Sequence, residues 1–167
     1  MHKSLQRITF ALLLALWMPH ASAQDALRIS ELSTLDRRYM TQQRDYLSDL
    51  AERSYGRSFN GNKDNDLQLL QRLLDDGLVS GGQTQALQGM GIITGDLLAT
   101  EFGLHWVIYE DQVGRTRALR YRETENYLFP VTMISRRREV GNLTPVAEIY
   151  DKAAAAISDA IPPLPFQ

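Results

Sequence analysis

Cysteine is absent from the chain. Disulfides, thiol nucleophiles and thiolate metal sites are thereby excluded, and stability has to come from packing and hydrogen bonds. Histidine is almost as scarce, because two of the three, His2 and His20, fall within the first 23 residues and only His105 lies beyond them. There is no Gly-x-Ser-x-Gly elbow, no His-Glu-x-x-His pair and no glycine-rich phosphate loop followed by lysine. Neither sign of charge dominates, with 18 basic and 20 acidic residues giving a net charge of −2. Such a balance supplies no global field for nucleic acid, and no nucleic-acid partner is expected.

What is present starts at the N-terminus. His2, Lys3 and Arg7 make a short positive head, Ile8 to Trp17 an apolar run, and Ala21-Ser22-Ala23 the small-x-small pattern that a signal peptidase accepts. The run is about half of the roughly 20 residues a spanning helix needs, and Pro19 breaks it. Residues 1–23 are expected to be a cleaved signal peptide, with cleavage after Ala23 and a mature protein beginning at Gln24. In a Gram-negative source the destination is the periplasm. No stable membrane insertion is expected after cleavage, and without a cysteine after the run there is no lipoprotein-type anchor. Losing Lys3 and Arg7 from the 18 basic residues leaves 16 against 20 acidic ones, a net charge of −4. Residues 24–167 are of a size that forms a single domain.

Ser33 can cap a long helix whose stripe is read as Leu35, Tyr39, Tyr46, Leu47 and Leu50, with Asp36 near its positive end and Gly56 as its stop. The polar stretch from Arg57 to Lys63 reads as a loop. Asp64 is the expected cap of a second helix with Leu67, Leu70, Leu73, Leu74 and Leu78 buried, ending near Gly77. A third helix runs from about Thr84 to Phe102 on Leu87, Met90, Thr94, Leu98 and Phe102, closed by Gly103. His105 to Glu110 and Thr116 to Arg122 read as a hairpin turning at Asp111 to Gly114, with Tyr127 to Phe129 as a short third strand. Val131 to Glu139 is open between helix and strand, Pro130 at a first helical position favouring a short helix. Thr144-Pro145 is read as cap and first-turn proline of a final amphipathic helix on Val146, Ile149, Tyr150, Ala153 and Ile157, and Pro162 to Pro165 as an extended tail. The fold class is α+β: N-terminal helices, a small antiparallel sheet with a hairpin, and a C-terminal amphipathic helix.

Three segments, Gly91-Ile92-Ile93-Thr94-Gly95-Asp96, Gly103-Leu104-His105-Trp106-Val107 and Phe129-Pro130-Val131-Thr132-Met133-Ile134-Ser135-Arg136-Arg137, resemble in order and spacing the DUF3806 family, a bacterial domain of unknown function. The resemblance covers roughly Leu87 to Ala154. It implies a domain type and carries over no activity, cofactor or catalytic residue.

His105 has no nucleophile or acid assigned beside it and reads as structural. Gly89, Gly91 and Gly95 miss the dinucleotide fingerprint and lie within a helix, where small residues one turn apart allow close packing. Asn60, Asn62, Asp64 and Asp66 alternate like calcium ligands. Counting from Asn60, however, places Asn65 at the glycine position and Gln71 where a bidentate glutamate is needed, so the stretch reads as a solvated loop and helix cap. Asp75-Asp76 and Glu110-Asp111 are adjacent pairs whose side chains diverge. The arginines hold more interest. Arg115, Arg117, Arg120 and Arg122 line one strand and Arg136 to Arg138 follow, so guanidinium groups could converge on an anion or acidic partner, or be neutralised by acids such as Asp96 and Glu101.

No catalytic set, metal site or cofactor is read from the sequence, and the balance leans away from an enzyme. The expectation is an exported module that binds an envelope protein or an anionic ligand through Trp106, Arg117, Arg120, Arg122 and Arg137. The alternative is an envelope hydrolase built from carboxylates scattered in sequence. Sequence alone assigns no oligomeric state.

Overall fold

A computed structural model describes residues 27–161; the signal segment, the expected terminus at Gln24 and the Pro162 to Pro165 tail lie outside the described residues. The elements are β1 (Arg28–Glu31), α1 (Thr34–Tyr55), α2 (Lys63–Asp75), α3 (Thr84–Phe102), β2 (Leu104–Asp111), β3 (Gly114–Tyr121), β4 (Tyr127–Leu128), a 3-10 turn (Pro130–Thr132), α4 (Ser135–Glu139) and α5 (Val146–Ala160). The sheet is antiparallel throughout in the order β1-β2-β3-β4. The architecture is α+β, as the change of hydrophobic period along the chain implies.

Helix ends follow local chemistry. Ser33 accepts a hydrogen bond from the Asp36 amide while the Asp36 carboxylate accepts one from the Ser33 amide, which closes a capping box at the start of α1. Gly56 and Gly103, at φ of 62° and 64°, close α1 and α3 in the left-handed conformation that costs glycine little. Two expected caps are corrected. Asn62, not Asp64, caps α2, accepting from the Asn65 amide. Thr144 does not cap α5, since its hydroxyl donates to Asn142 Oδ1; the Val146 amide instead donates to Gln71 Oε1 of α2 at 2.8 Å.

The buried stripe of α1 is also corrected. It comprises Asp36, Met40, Gln43, Leu47 and Ala51, whereas Leu35 is 76% exposed and Tyr46 44%. Two polar residues sit on the inward face; of the expected stripe Leu47 is buried and Tyr39 and Leu50 pack against the cores, whereas Leu35 and Tyr46 face outward. On α2, Leu69 joins Leu67, Leu70 and Leu73 in the core while Leu78 stays at the surface. β1 adds a strand that the sequence reading lacks, since three of its four residues are exposed and only its pairing with β2 makes it a strand. β4 ends at Leu128, and the ambiguous segment after it resolves into the 3-10 turn and α4.

α3 is the centre of the molecule and is buried around most of its circumference. Its residues enter the larger core with α2, α5 and the inner face of the sheet, and Ile92 enters a smaller one with Leu32, Met40, Ile108 and Val131. The register puts Leu104, Trp106, Ile108, Arg117, Leu119, Tyr121 and Leu128 on that inner face. His105, Val107, Tyr109, Thr116, Ala118, Arg120 and Tyr127 therefore point the other way. Val107 and Ala118 belong to neither core cluster, although both are buried.

Candidate functional site

The glycines of α3 let two other segments come close. A Cβ on Gly91 would lie 2.4 Å from the Pro130 carbonyl oxygen and 2.7 Å from that of Val131. One on Gly95 would lie 2.5 Å from the Trp106 ring and 3.0 Å from Pro130 Cβ. The next residue, Asp96, accepts a hydrogen bond from Trp106 Nε1 at 2.9 Å and a two-pronged contact from Arg44 of α1 at 2.6 and 2.8 Å. The three short segments around Gly91, Trp106 and Pro130 thus meet at one junction, and their spacing is explained by packing. Trp106 serves that junction from the inner face.

The arginines do not converge. Arg115 and Arg117 turn inward to Asp36, whose side chain is 3% exposed, at 2.6 and 2.9 Å. Arg115 holds the Asp36 carboxyl well below the usual carboxylate range, against burial, which pushes it up; Ser33 and Arg117 add to the lowering. Arg117 also stacks on Tyr39, 4.4 Å from the ring centroid. Arg120 points outward, donates to the Thr124 carbonyl and Glu123, and lies 5.6 Å from the centroid of Tyr127. Arg122 is in the β3–β4 turn with a φ of 48°, against the Tyr121 ring. Arg137 donates to the Met133 carbonyl within its own segment. Of the five expected binding residues, only Arg120 lies on the outer face of the sheet.

That face carries an aromatic cluster the sequence reading did not single out. Tyr109 meets Tyr127 and Phe129 edge-on at centroid distances of 5.1 and 5.2 Å, an arrangement aromatic rings favour. Ala118, on the same side of the sheet, is fully buried. Phe129 is 39% exposed. Burial raises the Tyr127 hydroxyl above its ordinary pKa, so it stays a neutral donor. The signal for this cluster was available in the cross-strand register, which pairs Tyr109 with Thr116 and Tyr127 with Arg120 on one side.

Carboxylates elsewhere are engaged by donors. Asp66, 2% exposed, accepts from the Asn60 and Gly61 amides and from Asn65 Nδ2, so the asparagine-rich loop is pinned by this side chain and not merely solvated. Asp66 and Asp96 line one recess of about 260 Å³, with the oxygens of both facing protein donors. Glu101 accepts from the buried Tyr150 hydroxyl at 2.5 Å and from Lys63. The Tyr150 bond, aided by Lys63, lowers the Glu101 carboxyl against burial, while burial and then Glu101 raise the tyrosine. Asp36 and Glu101 are both displaced downward, the direction opposite to that of a general acid. His105 lines a surface cleft with Trp106, Arg44 and Glu123, and neither a nucleophile nor an orienting acid hydrogen-bonds to it among the described residues.

The fold and its junction define an α+β domain organised around a glycine-bearing central helix. The chain belongs to the family described as a domain of unknown function, DUF3806, whose model matches residues 66–150. The match begins well before the resembling segments, taking in most of α2 and the pinning carboxylate Asp66. A crystal structure from Bacteroides thetaiotaomicron VPI-5482 is similar at a TM-score of 0.68 with 18% sequence identity, covering 76% of this chain. It shares the fold, and this chain spans 47% of its length. No curated protein matches the chain.

Proposed function

We propose that the protein is exported to the periplasm and works there by binding an envelope protein through the outer face of its sheet. The observation that carries this reading is the Tyr109–Tyr127–Phe129 cluster with Arg120 beside it, on the face of the sheet opposite the two core clusters and with Phe129 39% exposed. Aromatic rings and arginine are the side chains that protein interfaces concentrate at their centres. The pattern of residues 1–23 supports export. An anionic ligand has less support, because Arg115 and Arg117 are spent on Asp36, and Arg120 on Glu123 with Glu125 at 3.9 Å. The hydrolase alternative has less again, since the carboxylates that share a recess each accept three hydrogen bonds from protein donors.

The test compares affinity capture from envelope extract by the wild-type protein and by Tyr127→Ser and Phe129→Ser. The reading expects a discrete partner that both variants lose while retaining helical content and melting within a few degrees of wild type. Identical capture by all three proteins refutes it.

A further inference from the structure

We propose that the recess at the hairpin end of the sheet takes an acidic segment of the partner protein and that Arg136 holds its carboxylate. The inference rests on the outer-face reading and names the chemistry of the partner. Tyr109, Thr116 and Phe129 reach the recess from that face, and with Val113, Thr132 and Arg136 they line a space of about 580 Å³. That volume falls inside the roughly 300–1,000 Å³ that ligand pockets occupy. Phe129 is 39% exposed, and Val113, in the turn between β2 and β3, is 96% exposed. The recess therefore offers apolar surface as well as charge.

The charge comes from the arginine run of α4. Arg137 and Arg138 donate to the carbonyls of Met133 and Thr144, whereas Arg136 is exposed and has no hydrogen bond or ion pair among the described residues. Cations that line other recesses are already taken, Arg37 by Glu31 and Arg44 by Asp96. Arg115 also lines this recess, but it is bound to Asp36 at 2.6 Å, and Asp36 serves Arg117 as well. Asp111, the acid on the wall, accepts from the Val113 and Gly114 amides and so holds the turn. Arg115, Arg117 and Arg136 thus stand against Asp36 and Asp111, which leaves one positive charge uncompensated. A guanidinium takes a carboxylate on two parallel hydrogen bonds, and a single spare charge matches a carboxylate better than a phosphate dianion. The hydroxyls of Thr116 and Thr132 add donors, while Val113 and Phe129 fit an apolar side chain next to that acid.

The purified protein, ¹⁵N-labelled, is titrated with acetyl-leucyl-aspartyl amide, with its asparaginyl counterpart and with acetyl-glycyl-aspartyl amide. The proposal expects saturable shifts of the Val113, Gly114, Thr116, Phe129 and Thr132 amides with the first peptide, and binding weaker by at least about fivefold with each of the others. Arg136→Gln is expected to bind the aspartyl and asparaginyl peptides equally weakly while melting with the wild type, because the side chain is exposed. Arg136→Lys keeps the charge without the planar fork and should fall between the two. No saturable shift, equal binding of the aspartyl and asparaginyl peptides by wild type, a glycyl peptide that binds as well as the leucyl one, or an undiminished preference for the acid in Arg136→Gln overturns the proposal. Capture from envelope extract separates this failure from that of the outer-face reading. A partner lost by Tyr127→Ser and Phe129→Ser yet retained in full by Arg136→Gln overturns the acidic segment and leaves the face in place, whereas identical capture by wild type and both serine variants refutes the face itself.

Discussion

Alanine at position 91 tests the junction that organises the fold. Gly91 lies inside α3, so Gly91→Ala ought to gain up to about 1 kcal/mol of helix propensity. The added Cβ, however, would sit 2.4 Å from the Pro130 carbonyl oxygen and 2.9 Å from the Val131 carbonyl carbon, both of them backbone. Restoring ordinary contact demands a separation of about 1 Å between α3 and the 3-10 turn, in an interior packed too densely to absorb it. Overpacking of this kind costs about 1–3 kcal/mol and sometimes more. With backbone as the obstacle the upper end applies, which leaves a net loss of about 2 kcal/mol. For a domain of this size that lowers the melting temperature by roughly 4–8 °C. Gly82→Ala is the matched control, because a Cβ there has nothing within 4 Å and the change is expected to be neutral or stabilising by about 0.5 kcal/mol. Thermal melts and urea titrations of the three proteins give the comparison. An alanine-91 variant as stable as wild type would refute the close approach of α3 to Pro130.

Asp36→Asn should cost about 2–4 kcal/mol by leaving Arg115 and Arg117 facing a neutral amide, the partial exposure of Arg115 keeping the loss below that of a fully buried pair. Because the folded Asp36 titrates below its unfolded value of 3.8, its contribution is complete above that pH and is lost as the pH falls further. Urea midpoints across this range should therefore drop more gently for the variant than for wild type. Tyr150→Phe removes the hydroxyl that Glu101 accepts from and should cost about 1–2 kcal/mol, read from the shift in urea midpoint. Intact-mass measurement of the secreted protein should place its first residue at Gln24, and a full-length chain in the membrane fraction would contradict the signal reading.

What the sequence made legible is chiefly local. Ser33, Gly56 and Gly103 mark helix ends because capping chemistry acts over three or four residues, and the hairpin turn declares itself in Asp111 to Gly114. The close approach expected of Gly91 and Gly95 is met by Pro130 and Trp106. The inward face of α1 was hidden because Asp36 and Gln43 are buried there for reasons that lie elsewhere, one facing β3 and the other a recess beside α3. β1 was hidden for a related cause, as four mostly exposed residues become a strand only by pairing with β2 nearly 80 positions away. The arginines were visible as a group, but alternation along β3 sends Arg115 and Arg117 to one side and Arg120 to the other. The aromatic cluster required the register of three strands at once.

Site-specific photocrosslinking in cells tests the binding face most directly. A photoreactive phenylalanine analogue at Phe129 is compared with the same analogue at Leu35, which is 76% exposed on α1. Binding through the outer face predicts a discrete crosslinked species from position 129 that is absent from position 35. No adduct at 129, or the same adducts from both positions, would contradict it.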